Sequence, residues 1–222
     1  SEMGDNLAAV PLGTGRTARA VFAGGNFTCA LLDNNAVKCW GENSLGQLGQ
    51  GDTNHRGDGA DELGDNLAAV ALGSGRTAKT VAGGGTHVCV LLDTNFVKCW
   101  GGNAIGQLGL GDMNPRGDGT GEMGNNLAAV VLGTGRTAKA IAAGGGHTCA
   151  FLDNDTLKCW GNNNNGQLGQ GDVNARGDVG GEMGDVLAAI PLGVGRVAKA
   201  ISAVVHACAI LDNDTVKCWG LN

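Results

Sequence analysis

Eight cysteines are the residues of this chain with the most definite chemistry. In the stretch CALLDNNAVKCWG, residues 29–41, two cysteines lie ten positions apart around an Asp-Asn-Asn turn. Nearly the same sequence recurs from residues 89, 149 and 208. Such pairs form a disulfide, bind a metal or pack as reduced thiols. The cysteines are Cys29, Cys39, Cys89, Cys99, Cys149, Cys159, Cys208 and Cys218.

The spacing within each pair favours a disulfide. A three-residue loop at 33–35 places Cys29 directly opposite Cys39 in an antiparallel hairpin, at the separation that a disulfide requires. A metal is disfavoured because one hairpin offers only two thiols and no Cys-x-x-Cys occurs. Reduced, buried cysteine is the remaining alternative. The last loop position always carries a residue that tolerates a left-handed backbone, namely Asn35, Asn95, Asp155 and Asp214.

Four disulfides would have consequences for stability and location. Each closes a ring of about 11 residues and contributes roughly 2–3 kcal/mol on the chain-entropy model. Disulfides persist in oxidising compartments, so we expect a secreted or cell-surface, extracellular protein. The opening residues carry no charged and apolar leader, so a signal peptide is absent or already removed.

Oxygen-bearing side chains gather in and after the stretch DTNHRGD, residues 52–58. Their alternation resembles a calcium loop, but Arg56 stands where a further ligand belongs and no Glu falls at the twelfth position. A looser calcium site is one interpretation, and a solvated, hydrogen-bonded loop is the favoured one. No other cofactor is predicted. The candidate ligands are Asp52, Asn54, Asp58, Glu62 and Asp65.

Two further motifs could act at the surface. The tripeptide RGD occurs at 56–58, 116–118 and 176–178. Three copies within a repeat count as one observation, so pairing of Arg with nearby carboxylates is preferred over an adhesion signal. Asn154 and Asn213 each begin an Asn-x-Thr acceptor pattern for N-linked glycans, and both overlap the predicted hairpin turn.

Catalytic motifs are scarce. Three histidines, His87, His147 and His206, each lie two residues before a cysteine, but Phe27 holds the same position in the first copy. A position that accepts Phe indicates packing rather than catalysis. No Gly-x-Ser-x-Gly, phosphate-binding loop or His-Glu-x-x-His occurs. We therefore do not expect an enzyme.

The elements that position these residues repeat every 60 residues. Trp40, Trp100, Trp160 and Trp219 mark the period, and the repeats are 1–60, 61–120, 121–180 and a truncated 181–222. In the first repeat, short apolar runs at 6–12, 17–23, 28–32 and 36–40 are separated by Gly, Asn and Asp, which is typical of strands. The sequence predicts an all-β fold of four antiparallel, four-stranded units. The 20–25 residues left in each unit, such as 41–66, form a long loop where we expect a partner.

Composition excludes other classes of protein. The formal net charge is −6 and Lys and Arg form no cluster, so nucleic-acid binding is not expected. No stretch of 18 apolar residues occurs, so no membrane-spanning segment is predicted.

The stretch GGGHTCAFLD followed by LKCWGNNNNGQLGQGD, residues 144–172, resembles the repeat of the regulator-of-chromosome-condensation family. The pattern recurs with Trp40-Gly41, Asn43 and Gly46-Gln47-Leu48-Gly49, and again in the second repeat. The resemblance implies blades of a β-propeller, and the cysteines are similar to those of the family's secreted bacterial branch. Family propellers usually close with about seven blades, so four units imply a propeller-type arc or an open solenoid stack.

The fourth repeat and the chain ends suggest self-association. Asn222 corresponds to Asn43 and Ser1 to Asp61, which is expected of a segment of a longer array or of a subunit that meets its neighbour. The fourth repeat gains valines at 197, 204 and 205, and atypical terminal repeats cap an array or contact another chain. We expect an extracellular structural protein that self-associates through terminal repeats into an oligomer or filament. The alternative is a monomeric module that holds a protein or glycan on its loop face.

Overall fold

The computed structural model describes residues 3–221, which form four three-stranded antiparallel sheets of consecutive strands. The all-β prediction is confirmed. Three short 3-10 turns lie at Gly4–Asn6, Gly64–Asn66 and Gly124–Asn126. The strands are β1 (Ala18–Ala23), β2 (Phe27–Leu32), β3 (Val37–Gly41), β4 (Ala78–Gly83), β5 (His87–Leu92), β6 (Val97–Gly101), β7 (Ala138–Ala143), β8 (His147–Leu152), β9 (Leu157–Gly161), β10 (Ala198–Ala203), β11 (His206–Leu211) and β12 (Val216–Gly220).

The second and third strands of each sheet form the hairpin that the cysteine spacing predicts. Leu31 pairs with Val37 and Cys29 with Cys39, and the same register holds in the other three sheets. Asn35, at the end of the loop, has a φ of 64°, and its three counterparts lie at 64–65°. The predicted register and left-handed position are therefore confirmed.

The prediction of a fourth strand in each unit is wrong. Residues 6–12 and their counterparts form no strand. In the second repeat this segment makes one ladder-like bond to the preceding sheet, from the N–H of Val70 to the carbonyl of Val37, at 2.8 Å. Its buried residues, Leu67, Val70 and Leu72, are spaced by three and then two, so the run does not alternate as a strand does.

The hydrophobic cores lie between successive sheets rather than within them. One core, for example, joins Cys89, Leu91 and Val97 of the second sheet to Leu152 and Trp160 of the third. Because each sheet buries its faces against its neighbours, the four units form one array. The sheets do not close into a ring, so an open arc is the observed form of the predicted architecture.

The inner strands are joined by backbone hydrogen bonds between glycine turns. The N–H of Gly25 donates to the carbonyl of Gly85 at 3.2 Å, and the N–H of Gly85 donates to that of Gly145 at 3.1 Å. The N–H of Gly145 continues the row to Val204. All of these bonds point the same way, so the array has a direction.

Candidate binding surfaces at the two ends of the array

Each predicted cysteine pair is joined by a disulfide. The bonds link Cys29 to Cys39, Cys89 to Cys99, Cys149 to Cys159 and Cys208 to Cys218. The first three pairs are fully buried, whereas Cys218 at the end of the array is exposed. The bonds tie the hairpins whose faces form the contacts between units.

A tryptophan in each of the last three units holds the loop of the unit before it. The indole Nε1 of Trp100 donates to the carbonyl of Gln47 at 3.1 Å, and that of Trp160 donates to Gln107 at the same distance. Trp219 repeats the contact with Gln167 at 2.9 Å. We call residues 43–51, 103–111 and 163–171 the docking loops.

Glycines allow the docking loop to lie against the neighbouring backbone. A Cβ atom at Gly46 would meet the backbone N of Asp118 at 2.3 Å, a distance that real Cβ atoms do not show. The N–H of Gly51 donates to the carbonyl of Gly117 at 3.0 Å, and Gly117 is buried as a result. The repeated Gly-Gln-Leu-Gly motif is therefore a contact motif between units.

A buried asparagine shapes the docking loop. The Nδ2 of Asn43 donates to the carbonyl of Asp52 at 2.8 Å, and its Oδ1 accepts from the N–H of Leu48 at 2.9 Å. Arg56 then pairs with the carboxylate of Asp52 at 2.7 Å. In the sequence, Asn43 belongs to the family pattern, and its repetition before every Gly-Gln-Leu-Gly motif is the signal of this role.

A second set of contacts runs along the outer edge of each sheet. We call residues 4–12, 64–72, 124–132 and 184–192 the packing segments. Lys98 of β6 donates from Nζ to the carbonyls of Leu72 at 3.1 Å and Gly124 at 2.7 Å, and burial lowers the pKa of Lys98. The N–H of Val130 donates to the carbonyl of Val97 at 2.8 Å. Sequence reasoning missed these lysines, because a single charged residue within an apolar strand gives no sign of a carbonyl partner 26 residues away.

The first packing segment has no such sheet beside it. Leu7 is 60% exposed, whereas its counterparts Leu67, Leu127 and Leu187 are 2–3% exposed. Val10 is 46% exposed, and Val70 only 6%. We call residues 4–12 the leading surface.

The outer edge of β12, residues 216–220, is the matching surface at the other end, and we call it the trailing surface. Val216 is 60% exposed, whereas Val37 and Val97 at the same position are fully buried. Lys217 is exposed, and its Nζ has no hydrogen-bond partner among residues 3–221. Further exposed apolar residues of the fourth unit are Val194, Val204 and Val205.

The candidate calcium ligands lie in separate contacts. Within residues 3–221 no three His, Cys, Asp or Glu side chains form a group that could hold a metal. Asp52 pairs with Arg56, and Asn54 donates its N–H to Asp52. Glu62 accepts from the N–H groups of Gly57 and Gly59, and these bonds lower the pKa of Glu62.

Of the remaining two candidate ligands, Asp58 contacts Glu62, and Asp65 lies elsewhere. Asp58 is exposed. Hydrogen bonds from the hydroxyl and the N–H of Thr14 lower the pKa of Asp65 and tie it to the first unit. The structure therefore does not bring the five candidates together.

The surface motifs differ in accessibility. In the second and third RGD copies the glycines, Gly117 and Gly177, are buried beneath docking loops, and only Gly57 is exposed. Asn154 and Asn213 lie in exposed hairpin turns, where the Oδ1 of each accepts the hydroxyl of the Thr two residues on, at 2.7 Å.

Two of the three histidines before the cysteines, His87 and His147, pack in the interior, whereas His206 is exposed. His87 is fully buried, and its Nε2 lies 2.8 Å from the hydroxyl of Thr148. That hydroxyl donates to the carbonyl of Gln107, so Nε2 of His87 carries the proton. Burial lowers the pKa of His87 to about 3, with a smaller effect from His147, whose own pKa burial lowers to about 4.

Among residues 3–221 no helix is long and apolar enough to cross a membrane.

Residues 18–47 and 138–167 match the regulator of chromosome condensation (RCC1) repeat. The chain is 31% identical over 153 residues to the X-linked retinitis pigmentosa GTPase regulator of Mus musculus, which covers 66% of this chain and 13% of that protein. It is 30% identical over 159 residues to the ultraviolet-B receptor UVR8 of Arabidopsis thaliana, covering 71% and 32%. The chain thus spans well under two thirds of these relatives.

The solved structure of human WBSCR16 has a similar fold. It superposes with a TM-score of 0.69 at 20% identity, over 92% of this chain and 47% of that one. At this identity the likeness concerns the fold alone. Four units thus correspond to about half of a larger propeller-like structure.

Proposed function

Since the chain belongs to the RCC1 repeat family, whose members act as interaction modules, we propose that it is a non-catalytic, extracellular protein that self-associates head to tail through its terminal repeats. The leading surface of one copy packs on the trailing surface of the next. The observation that carries the proposal is the exposure of Leu7 and Val216, at positions that are buried wherever two units meet.

The contacts between units supply the geometry of this association. In the second, third and fourth units the packing segment gives one N–H to the carbonyl of a strand residue, as Val130 does to Val97. At the ends, the N–H of Val10 and the carbonyl of Val216 hold the same positions. Lys217 is the counterpart of Lys98, whose Nζ donates to the carbonyl of Gly124 in the next unit. In a second copy the counterpart of Gly124 is Gly4, so the carbonyl of Gly4 would accept from Lys217.

Apolar burial gives this contact its driving force. Fully burying a Leu or Val side chain is worth about 1.5–3 kcal/mol. In a single copy Leu7 and Val216 are each 60% exposed and Val10 is 46% exposed. Lys217 supplies specificity, since a buried ammonium requires the carbonyl acceptors that only a correctly aligned segment offers.

The polar groups of the contacts support a binding role over catalysis. Asn43, Lys98 and Trp100 are all directed at backbone groups of the array. The four disulfides support an extracellular location, because such bonds persist in an oxidising compartment. Mass spectrometry that finds the eight sulfurs free in native material would contradict that location.

Sedimentation equilibrium on two surface variants tests the association. Val10→Glu blocks the leading surface and Val216→Glu blocks the trailing surface, so each variant alone should be a monomer. Because the contact is heterologous, an equimolar mixture should form a dimer that grows no further, through the two intact surfaces.

A matched control separates the contact from a general effect of charge. Ala8→Glu places the same charge on a side of the segment that is exposed in every unit, as Ala68 and Ala188 illustrate, and should associate like the wild type. A wild-type chain that stays monomeric at all concentrations would overturn the proposal and favour a monomeric module that holds a protein or glycan on its loop face.

A further inference from the structure

The first unit presents the residues that hold a docking loop elsewhere, with no loop in place. Trp40 is partly exposed, whereas Trp100 and Trp160 are fully buried. Among residues 3–221 no hydrogen bond reaches the indole nitrogen of Trp40, although each of the other three tryptophans donates to a docking loop.

The backbone acceptor of this site is open as well. Gly117 and Gly177 are buried. A Cβ atom at Gly117 would meet the carbonyl oxygen of Gly46 at 2.8 Å, and one at Gly177 would meet that of Gly106 at 2.9 Å. The same position in the first unit, Gly57, is exposed, and the nearest atom that a Cβ there would meet is Cδ2 of Leu63, at 3.4 Å. Trp40, Gly41, Gly57 and Asp58 line a pocket of about 320 Å³ at this place.

The three docking loops of the chain are all engaged within it. Gln47 lies on Trp100, Gln107 on Trp160 and Gln167 on Trp219. Residues 3–221 therefore leave no unengaged docking loop for the first unit. Three filled examples of the indole contact and two of the glycine contact define the chemistry of the site. They require a glycine-rich turn with a free carbonyl for the indole and a free N–H for Gly57.

We propose that the pocket around Trp40 and Gly57 is a binding site for a Gly-Gln-Leu-Gly docking loop presented by another molecule. The carbonyl of the Gln accepts from Nε1 of Trp40, and a later glycine N–H donates to the carbonyl of Gly57. The first Gly of the motif lies against the backbone of Asp58, where no Cβ atom fits. The Leu is buried, as Leu48, Leu108 and Leu168 are at 0% exposure.

This site goes beyond the proposed self-association and is tested without it. The Val216→Glu variant has no trailing surface, and because Val216 is exposed the variant should fold and stay monomeric. Its Trp40 pocket is unchanged. Peptide binding to this variant therefore reports on the pocket alone, whatever the outcome of the sedimentation experiment.

The probe is a synthetic peptide of residues 41–56, GENSLGQLGQGDTNHR, which retains the Asn43, Asp52 and Arg56 contacts that shape the loop. Isothermal titration calorimetry should show saturable 1:1 binding. The control peptide carries Gly46→Ala, whose Cβ atom would meet backbone at 2.3 Å in the filled site, and it should not bind. The difference isolates docking from general adhesion of a glycine-rich peptide.

A protein variant locates the bound peptide. Trp40→Phe keeps an aromatic ring and removes the N–H donor, so affinity should fall about fivefold, the effect of one neutral hydrogen bond. Circular dichroism establishes that this variant is folded. Absence of binding at millimolar peptide, equal binding of the Gly46→Ala peptide, or unchanged affinity in Trp40→Phe would each overturn the proposal.

Discussion

The middle and the ends of the array have nearly the same sequence and different environments. Leu127, between the second and third units, is 2% exposed, and Leu7, at the same position of the first unit, is 60% exposed. Strand β6 is buried throughout, whereas β12, which shares its Val-Lys-Cys-Trp-Gly sequence, is exposed at its first three residues. A residue's role in this fold is thus set by the neighbouring unit as much as by its own type.

The largest difference should appear on truncating these leucines. Leu127→Ala removes a fully packed side chain between two sheets and should lower the free energy of unfolding by about 2–5 kcal/mol. Leu7→Ala removes an exposed side chain and should change it by less than about 0.5 kcal/mol in the monomer. Urea unfolding at low protein concentration measures both. Similar effects would mean that the two surfaces are not distinguished as described.

A smaller expected effect is a pH dependence of the free energy of unfolding, which arises from the buried His87. The first unit has Phe27 at that position and no such titrating group. The folded pKa of His87 is lowered to about 3, so below its unfolded value near 6.5 only the unfolded chain takes up the proton. Stability is complete above pH 6.5 and falls as the pH drops toward 3, by about 1.4 kcal/mol per pH unit for this group.

His87→Phe recreates the first unit's arrangement and should reduce this slope by about 1.4 kcal/mol per pH unit between pH 6 and 5. Urea unfolding of the wild type and the variant at several pH values in that range measures the change. The readout is the slope, since loss of the Thr148 contact alters stability at every pH. Parallel curves would show that His87 is not neutral in the fold.

The smallest expected effect is the selective reduction of one disulfide. Cys218 is exposed, whereas the cysteines of the first three disulfides are fully buried. Mild reductant should therefore open Cys208–Cys218 first, with the other three sheets intact. Timed alkylation followed by peptide mass spectrometry measures the order. Simultaneous reduction of all four bonds would indicate that opening follows global unfolding instead.

Much of the fold could be predicted from the sequence, because its determinants are local. Turn chemistry and the ten-residue spacing fix the hairpin in which Cys29 faces Cys39. The apolar run around Val10 predicts a strand that does not form, because its counterparts are buried by a neighbouring unit and not by alternation within a sheet. The docking role of Gln47 likewise depends on Trp100, 53 residues away, which no local pattern reveals.

The packing segments mean that each sheet is completed by residues of the following 60-residue period. Val37 of the first sheet meets Val70, and Val97 of the second meets Val130. Excising one period as an isolated peptide, wherever the cut is made, would leave a sheet without its cover or a cover without its sheet. Conversely, in-frame insertion of a whole 60-residue period would again place a packing segment against every preceding sheet. The length of such a protein can therefore change by recombination while the same kind of contact between units is kept.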